Sequence, residues 1–218
     1  MNNVDTAVIV LSAYLSMQQM RSFPWREEND PFHILIAEMM LIRTRADLVV
    51  PVYLQFIRQW PRPDDLVCAA DEQIAQTLVP LGLPQRIPFF KQAAKHIIEN
   101  HAGVVPSKRK DLEKIPGVGR YVAEAVLAFA FNQPIVPADV NVLRWISRIT
   151  GLEMISSSKG SKEIRLLLPR LAPLGGRQAY KFLDFLREIC RPRKPACDEC
   201  WIQMLCHYGR KALPDSTA

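Results

Sequence analysis

Long apolar runs are missing from this chain. No segment reaches the roughly 18 apolar residues that a membrane-spanning helix needs. The first residues, MNNVDTAVIVLSAYL, lack the basic start and small-residue cleavage site of a secretory signal. Strand signals are scarce, and internal repeats, low-complexity tracts and long linkers do not occur. Cysteine is almost absent before residue 190, where only Cys68 stands, in an apolar context that predicts a buried small hydrophobe. These absences argue against a membrane protein, a repeat array and a disulfide-stapled secreted domain. The expectation is a soluble cytoplasmic monomer.

What is present is helical. Apolar residues recur at helical spacing, broken by Pro and Gly, over 4–20, 32–46, 47–60, 64–70, 71–79, 86–101, 120–131, 140–150, 161–172 and 177–190. That pattern predicts an all-α fold. With 218 residues, 49% of them hydrophobic, the chain can bury a real core. Its net charge of +6 suits a polyanionic partner.

Four stretches carry chemistry. In ILIAEMMLIRTR, Glu38 has only aliphatic neighbours three and four residues away: Ile34, Leu35, Leu41 and Ile42. Such an acid either sits at a helix edge in water or is buried with its pKa raised. In LEKIPGVGRYVAEAVLAFAF, a proline and two glycines join two helices. Gly117 and Gly119 permit positive φ and close approach of a ligand, and the second helix starts with unpaired N–H groups. With Lys114 and Arg120 flanking it, this is an anion site, or else a plain tight turn. In VPADVNVLRWISRITG, Asp139 precedes a helix and reads as an N-cap or as a functional acid. Finally, Cys190, Cys197, Cys200 and Cys206 crowd into one short segment. Clustered cysteines without a secretory signal read as metal ligands, zinc being one choice.

The PGVG turn between two helices resembles the helix-hairpin-helix motif of DNA repair proteins. Together with the cysteine spacing, it makes the chain similar to the endonuclease III superfamily of DNA glycosylases, from FPWREENDPF to Cys206. That resemblance implies a two-lobed α-helical fold. A six-helix lobe over 27–133 would hold the hairpin. Residues 1–26 and 134–218 would form a second lobe with Asp139 and a [4Fe–4S] cluster on Cys190, Cys197, Cys200 and Cys206. Pro116, Gly117, Val118 and Gly119 of the hairpin, with Lys114 and Arg120, would grip the DNA backbone. So would Arg191, Arg193 and Lys194 in the loop after the first cysteine. Asp139 matches the superfamily's catalytic aspartate, and Asn141 fits the adenine and thymine branches.

The resemblance also bears on the substrate. AEMMLIRT is similar to both the SEVMLQQT of MutY-type adenine glycosylases and the TEILLRRT of mismatch thymine glycosylases. Glu38 would then face the pocket for an extruded base and help it leave. Arg43 would fill the hole in the duplex, touch the orphan base or hold a phosphate. Bifunctional members carry a lysine where this chain has Tyr121, and a phenol cannot form a Schiff base. The expected enzyme is therefore monofunctional. Ile42-Arg43 replaces the adenine branch's Gln-Gln, and the chain runs only twelve residues beyond Cys206, short of that branch's added domain. The expected substrate is double-stranded DNA with thymine or uracil mispaired with guanine. A short adenine glycosylase acting opposite 8-oxoguanine or guanine is the alternative. A non-catalytic DNA-binding module is another, although two acids would repel a phosphate backbone.

Overall fold

Proline starts several of the helices, because its missing N–H and fixed φ suit the first helical position. In the computed structural model, which describes residues 3–82, 84–156 and 159–212, Pro24, Pro31 and Pro63 all do this. The helices are α1 (Asn3–Met17), α2 (Pro24–Glu27), α3 (Pro31–Leu41), α4 (Ala46–Gln59), α5 (Pro63–Cys68), α6 (Asp71–Leu78), α7 (Ile87–His101), α8 (Arg109–Leu112), α9 (Arg120–Phe129), α10 (Val140–Thr150), α11 (Lys162–Leu166), α12 (Gln178–Glu188) and α13 (His207–Lys211). One small antiparallel strand pair, β1 (Met154–Ser156) and β2 (Lys159–Gly160), and four short 3-10 segments complete the described elements.

The all-α expectation holds, with local corrections. Residues 24–27, outside the predicted helices, form the short helix α2. The helix expected over 161–172 stops at Leu166 and continues as a 3-10 segment, Leu168–Leu174, because Pro169 and Pro173 lack the N–H that an α-helix needs. Cys68 is exposed rather than buried. It lies two residues after the core residue Leu66, which turns it to the opposite side of α5.

The chain divides into two compact units, Ser22–Phe131 and Met1–Arg21 with Asn132–Ala218. In the first, α3 is the central rod: every residue from Ile34 to Met40 is buried. It packs against α4 and against α9, which is itself buried from Val122 to Phe129. This unit begins at Ser22 because Phe23 and Trp25 are buried in it; Trp25 meets the Tyr53 ring edge-on at 5.5 Å. Phe56 packs on both Trp60 and Phe90.

In the second unit α10 is the central element. It buries Val142, Leu143, Trp145, Ile146 and Ile149 and contacts α1, α12 and α13. Trp145 stands edge-on to Phe182 at 5.2 Å. Gly175 lets two backbone segments touch: a Cβ there would lie 2.4 Å from the Ile135 nitrogen. Backbone cannot step aside as a side chain can. Gly175→Ala is therefore expected to destabilise this unit by about 1–3 kcal/mol, the usual cost of overpacking. A chemical denaturation midpoint that falls with an unchanged slope is the expected reading.

Candidate active site

Asp30 fixes the start of α3. Its carboxylate accepts from the Phe32 N–H at 2.7 Å, and Pro31 follows as the first helical residue. Seven residues after Pro31, the helix carries Glu38 into the core, where the residue is only 2% exposed. The edge-of-helix reading is therefore excluded. Burial pushes the Glu38 carboxyl up to about 8, and the positive charge of Arg26 opposes that rise. Arg26 is buried too, with its guanidinium 5.1 Å from the centre of the Phe23 ring. Its position in the FPWR segment, before any clear helix, gave no periodic signal of a buried cation.

The hairpin runs from α8 to α9. Only one of its glycines uses positive φ: Gly117 at 81°. A Cβ there would lie 2.8 Å from that of Phe89. Gly119 is extended, with φ −86° and ψ 178°, and caps α9. Its bare side faces open space, since a Cβ would meet nothing within 4 Å. The loop therefore leaves room for a ligand beside the first N–H groups of α9. Val118 is buried and Pro116 half-buried. Lys114 is exposed and pairs with Asp111 at 3.0 Å. Arg120 is also exposed, but its Nε donates to Glu124 at 2.9 Å, and Arg109 donates to the same oxygen at 2.8 Å. The buried Glu124 thus ties α8 to α9 across the loop. Sequence reasoning missed it, because an acid in an apolar helix shows no partner until the chain folds. Tyr121 lies in the first turn of α9 and is half-buried.

Asp139 is the N-cap of α10. One carboxylate oxygen accepts from the backbone of Asn141 at 2.8 Å and Val142 at 2.9 Å; the other accepts from the Asn141 side-chain amide. The cap reading is correct, and it defines the geometry of the acid. All three donors converge on the carboxyl group and fix its orientation. Asn141 is thereby committed to orienting Asp139.

Cys190, Cys197, Cys200 and Cys206 line one cavity, walled by Trp145, Ile149, Phe185 and Ile202. Among the described residues no group of three or more His, Cys, Asp or Glu side chains is arranged to hold a metal ion. The donor set nonetheless suits one. Burial pushes the thiols of Cys197, Cys200 and Cys206 up, Cys200 to about 11, and the charges of neighbouring cysteines push the same way. A bound cation would remove that conflict. Arg148 of α10, another residue without a sequence signal, organises the first-ligand loop. It donates to the Cys190 sulfur at 3.2 Å and to the carbonyls of Cys190, Arg191 and Pro192, and it stacks over Tyr208. Arg191, Arg193 and Lys194 are exposed on this loop, with Lys194 in the left-handed region at φ 48°.

Residues 36–170 match the HhH-GPD superfamily base excision DNA repair protein family. The chain is 34% identical to the thymine-DNA glycosylase of Aeropyrum pernix, over 86% of this chain and 87% of that one. It is equally similar, at 34%, to the thymine/uracil-DNA glycosylase of Methanothermobacter thermautotrophicus, over 88% of each chain. Among solved structures, that of a thermostable thymine-DNA glycosylase superposes with a TM-score of 0.85 at 32% identity, covering 96% of this chain and 97% of that one.

The raised Glu38 carboxyl links stability to pH. Its ordinary value is 4.5 and its folded value about 8, so between these the folded state binds a proton that the unfolded state lacks. Stability therefore falls as pH rises through this window. Thermal melts between about pH 5 and about pH 9 should show a steeper fall for the wild type than for Glu38→Gln. Parallel curves would mean that the carboxyl is hydrated or charged in the fold.

Proposed function

Because the chain belongs to the HhH-GPD superfamily of base excision DNA repair proteins, we propose that it is a monofunctional DNA glycosylase that removes thymine or uracil paired with guanine in double-stranded DNA. The observation that carries this reading is Glu38, a buried carboxyl that keeps its proton up to about pH 8. The similarity to thymine and thymine/uracil glycosylases supports the choice of base.

Extruding a base costs a few kcal/mol, least at a mismatch. As the bond from C1′ to the base nitrogen breaks, its electron pair leaves with the base. Protonated Glu38 donates to the departing base and offsets that charge. Asp139, oriented by its three donors, faces the oxocarbenium-like sugar and takes a proton from the attacking water. The products are a free base and an abasic site. Tyr121 lines the pocket and offers no amine to trap the sugar, so the strand stays intact. The hairpin N–H groups and Arg120 grip a phosphate, and Arg191, Arg193 and Lys194 hold the backbone from the cysteine loop. Arg43 fills the gap left by the extruded base.

Cys190, Cys197, Cys200 and Cys206 would hold a [4Fe–4S] cluster. Bound there, it would supply a structural tie for the 191–196 loop, which Arg148 braces by donating to the Arg191 and Pro192 carbonyls. Purified protein is expected to carry iron and inorganic sulfide in equal amounts, about four of each per chain. Zinc without sulfide would replace the cluster by a four-cysteine zinc site.

Base release is tested on duplexes carrying T·G, U·G, A·8-oxoguanine and A·G. Release from T·G and U·G, with strand breaks only after alkali, is the expected result. Breaks without alkali would overturn the role given to Tyr121, and release of adenine would move the protein to the adenine branch. Asp139→Asn should bind such duplexes normally and lose base release by about 100-fold or more, the scale of a removed acid–base group. Equal loss of both would make Asp139 only a helix cap.

A further inference from the structure

The four residues after Met40 form a tight turn that is chemically out of place. The Thr44 N–H donates to the Leu41 carbonyl at 3.1 Å. Ile42 has φ −57° and ψ 113°, and Arg43 has φ 56°. These are the angles of a type II turn, whose third residue needs positive φ and is ordinarily Gly or Asn. An arginine there crowds its Cβ against the neighbouring carbonyl.

The Arg43 side chain makes no contact with the described residues that would offset that strain. Arg43 is exposed and, among the described residues, has no hydrogen-bond or ion-pair partner. Its charged neighbour is a second cation: burial, and then the charge of Arg43, hold the Arg86 guanidinium below its usual range. A left-handed backbone and a like-charge contact thus both work against Arg43 in the isolated protein. Residues held in such conformations persist where the surroundings over-determine them, and they gather at functional sites.

Arg86 is what over-determines this one. It precedes α7 and reaches across to the end of α3. Its Nη1 donates to the Met39 carbonyl at 2.9 Å and its Nη2 to the Thr44 hydroxyl at 3.4 Å. The Thr44 hydroxyl donates in turn to the Ile42 carbonyl at 3.2 Å. One guanidinium therefore grips the chain on both sides of the turn.

We propose that Arg86 is a positioning residue: it clamps Met39 and Thr44, keeps Arg43 left-handed, and so presents the Arg43 guanidinium to the guanine left without its partner. The inference rests on the glycosylase reading. A donor-only fork finds two acceptors on guanine, O6 and N7, where adenine offers one acceptor and one opposing donor. Arg86 spends its own donors on the turn, so reading the base falls to Arg43.

The test uses Arg43→Gly, Arg86→Met, Arg86→Lys and the double variant Arg43→Gly/Arg86→Met. Two quantities are read: the thermal midpoint, and the preference for a duplex with a tetrahydrofuran abasic analogue opposite guanine over one opposite adenine. Arg43→Gly should raise the midpoint by about 2–4 °C, since glycine accepts this φ. It should also lower the guanine preference on the order of tenfold. Arg86→Met should lower that preference by a similar factor, with partial recovery in Arg86→Lys. In the Arg43→Gly background, Arg86→Met should lower it no further. An unchanged preference in Arg86→Met, with only the midpoint shifted, would reduce Arg86 to a structural role and overturn the proposal. Multiplying losses in the double variant would overturn it too, as would a wild type indifferent to the opposing base. A wild type that prefers guanine but releases no base would sink the glycosylase reading and leave the proposal standing.

Discussion

A buried acid governs the first unit of this protein. Glu38 sits in the middle of α3, whose neighbouring residues are all buried. A carboxylate there would cost several kcal/mol, so the group holds its proton to about pH 8 instead. The surrounding architecture keeps it so. The Asp30 cap and Pro31 set where α3 begins, and α4 and α9 close over its sides. The buried Arg26 is close enough to restrain the shift and thereby keeps the acid able to give its proton up. For the general-acid role proposed for it, those opposing influences set the balance between holding the proton and releasing it.

Arginines recur as internal staples where the chain has irregular backbone. Arg148 satisfies the carbonyls of three successive residues in the cysteine loop, and Arg86 grips both sides of the turn after α3. Arg109 and Arg120 converge on Glu124 across the hairpin. In the first two cases a planar fork with several donors satisfies backbone carbonyls where no helix supplies the hydrogen bonds; in the third, two forks neutralise a buried carboxylate. Some of the chain's positive charge is therefore spent inside the protein. Arg43 and the cysteine-loop residues Arg191, Arg193 and Lys194 are among the exposed cations that a polyanion would meet.

Asp139 shows how one side chain can satisfy two demands. Capping α10 requires an acceptor ahead of the helix, and the same three donors that make the cap fix the orientation of the carboxyl group. Of the two readings that the residue allowed in sequence, the structure establishes the cap. The hairpin divided differently: of its two glycines, Gly117 carries the positive φ, whereas Gly119 is extended and serves by leaving space.

Helical periodicity, proline placement and the cysteine spacing were legible in the sequence because each depends on residues close along the chain. The same holds for the hairpin and for the Asp139 cap, whose partners lie within three residues. Local patterns therefore determined the fold class and the residues to inspect. Tertiary structure alone decided which charges are buried and which residues they meet. Whether Glu38 lay at an edge or in the core depended on α4 and α9, and Arg148 finds its carbonyls more than 40 residues away. Arg86 likewise reaches Met39 across 47 residues. Desolvation and long-range hydrogen bonding are properties of packing, so no window of sequence contains them.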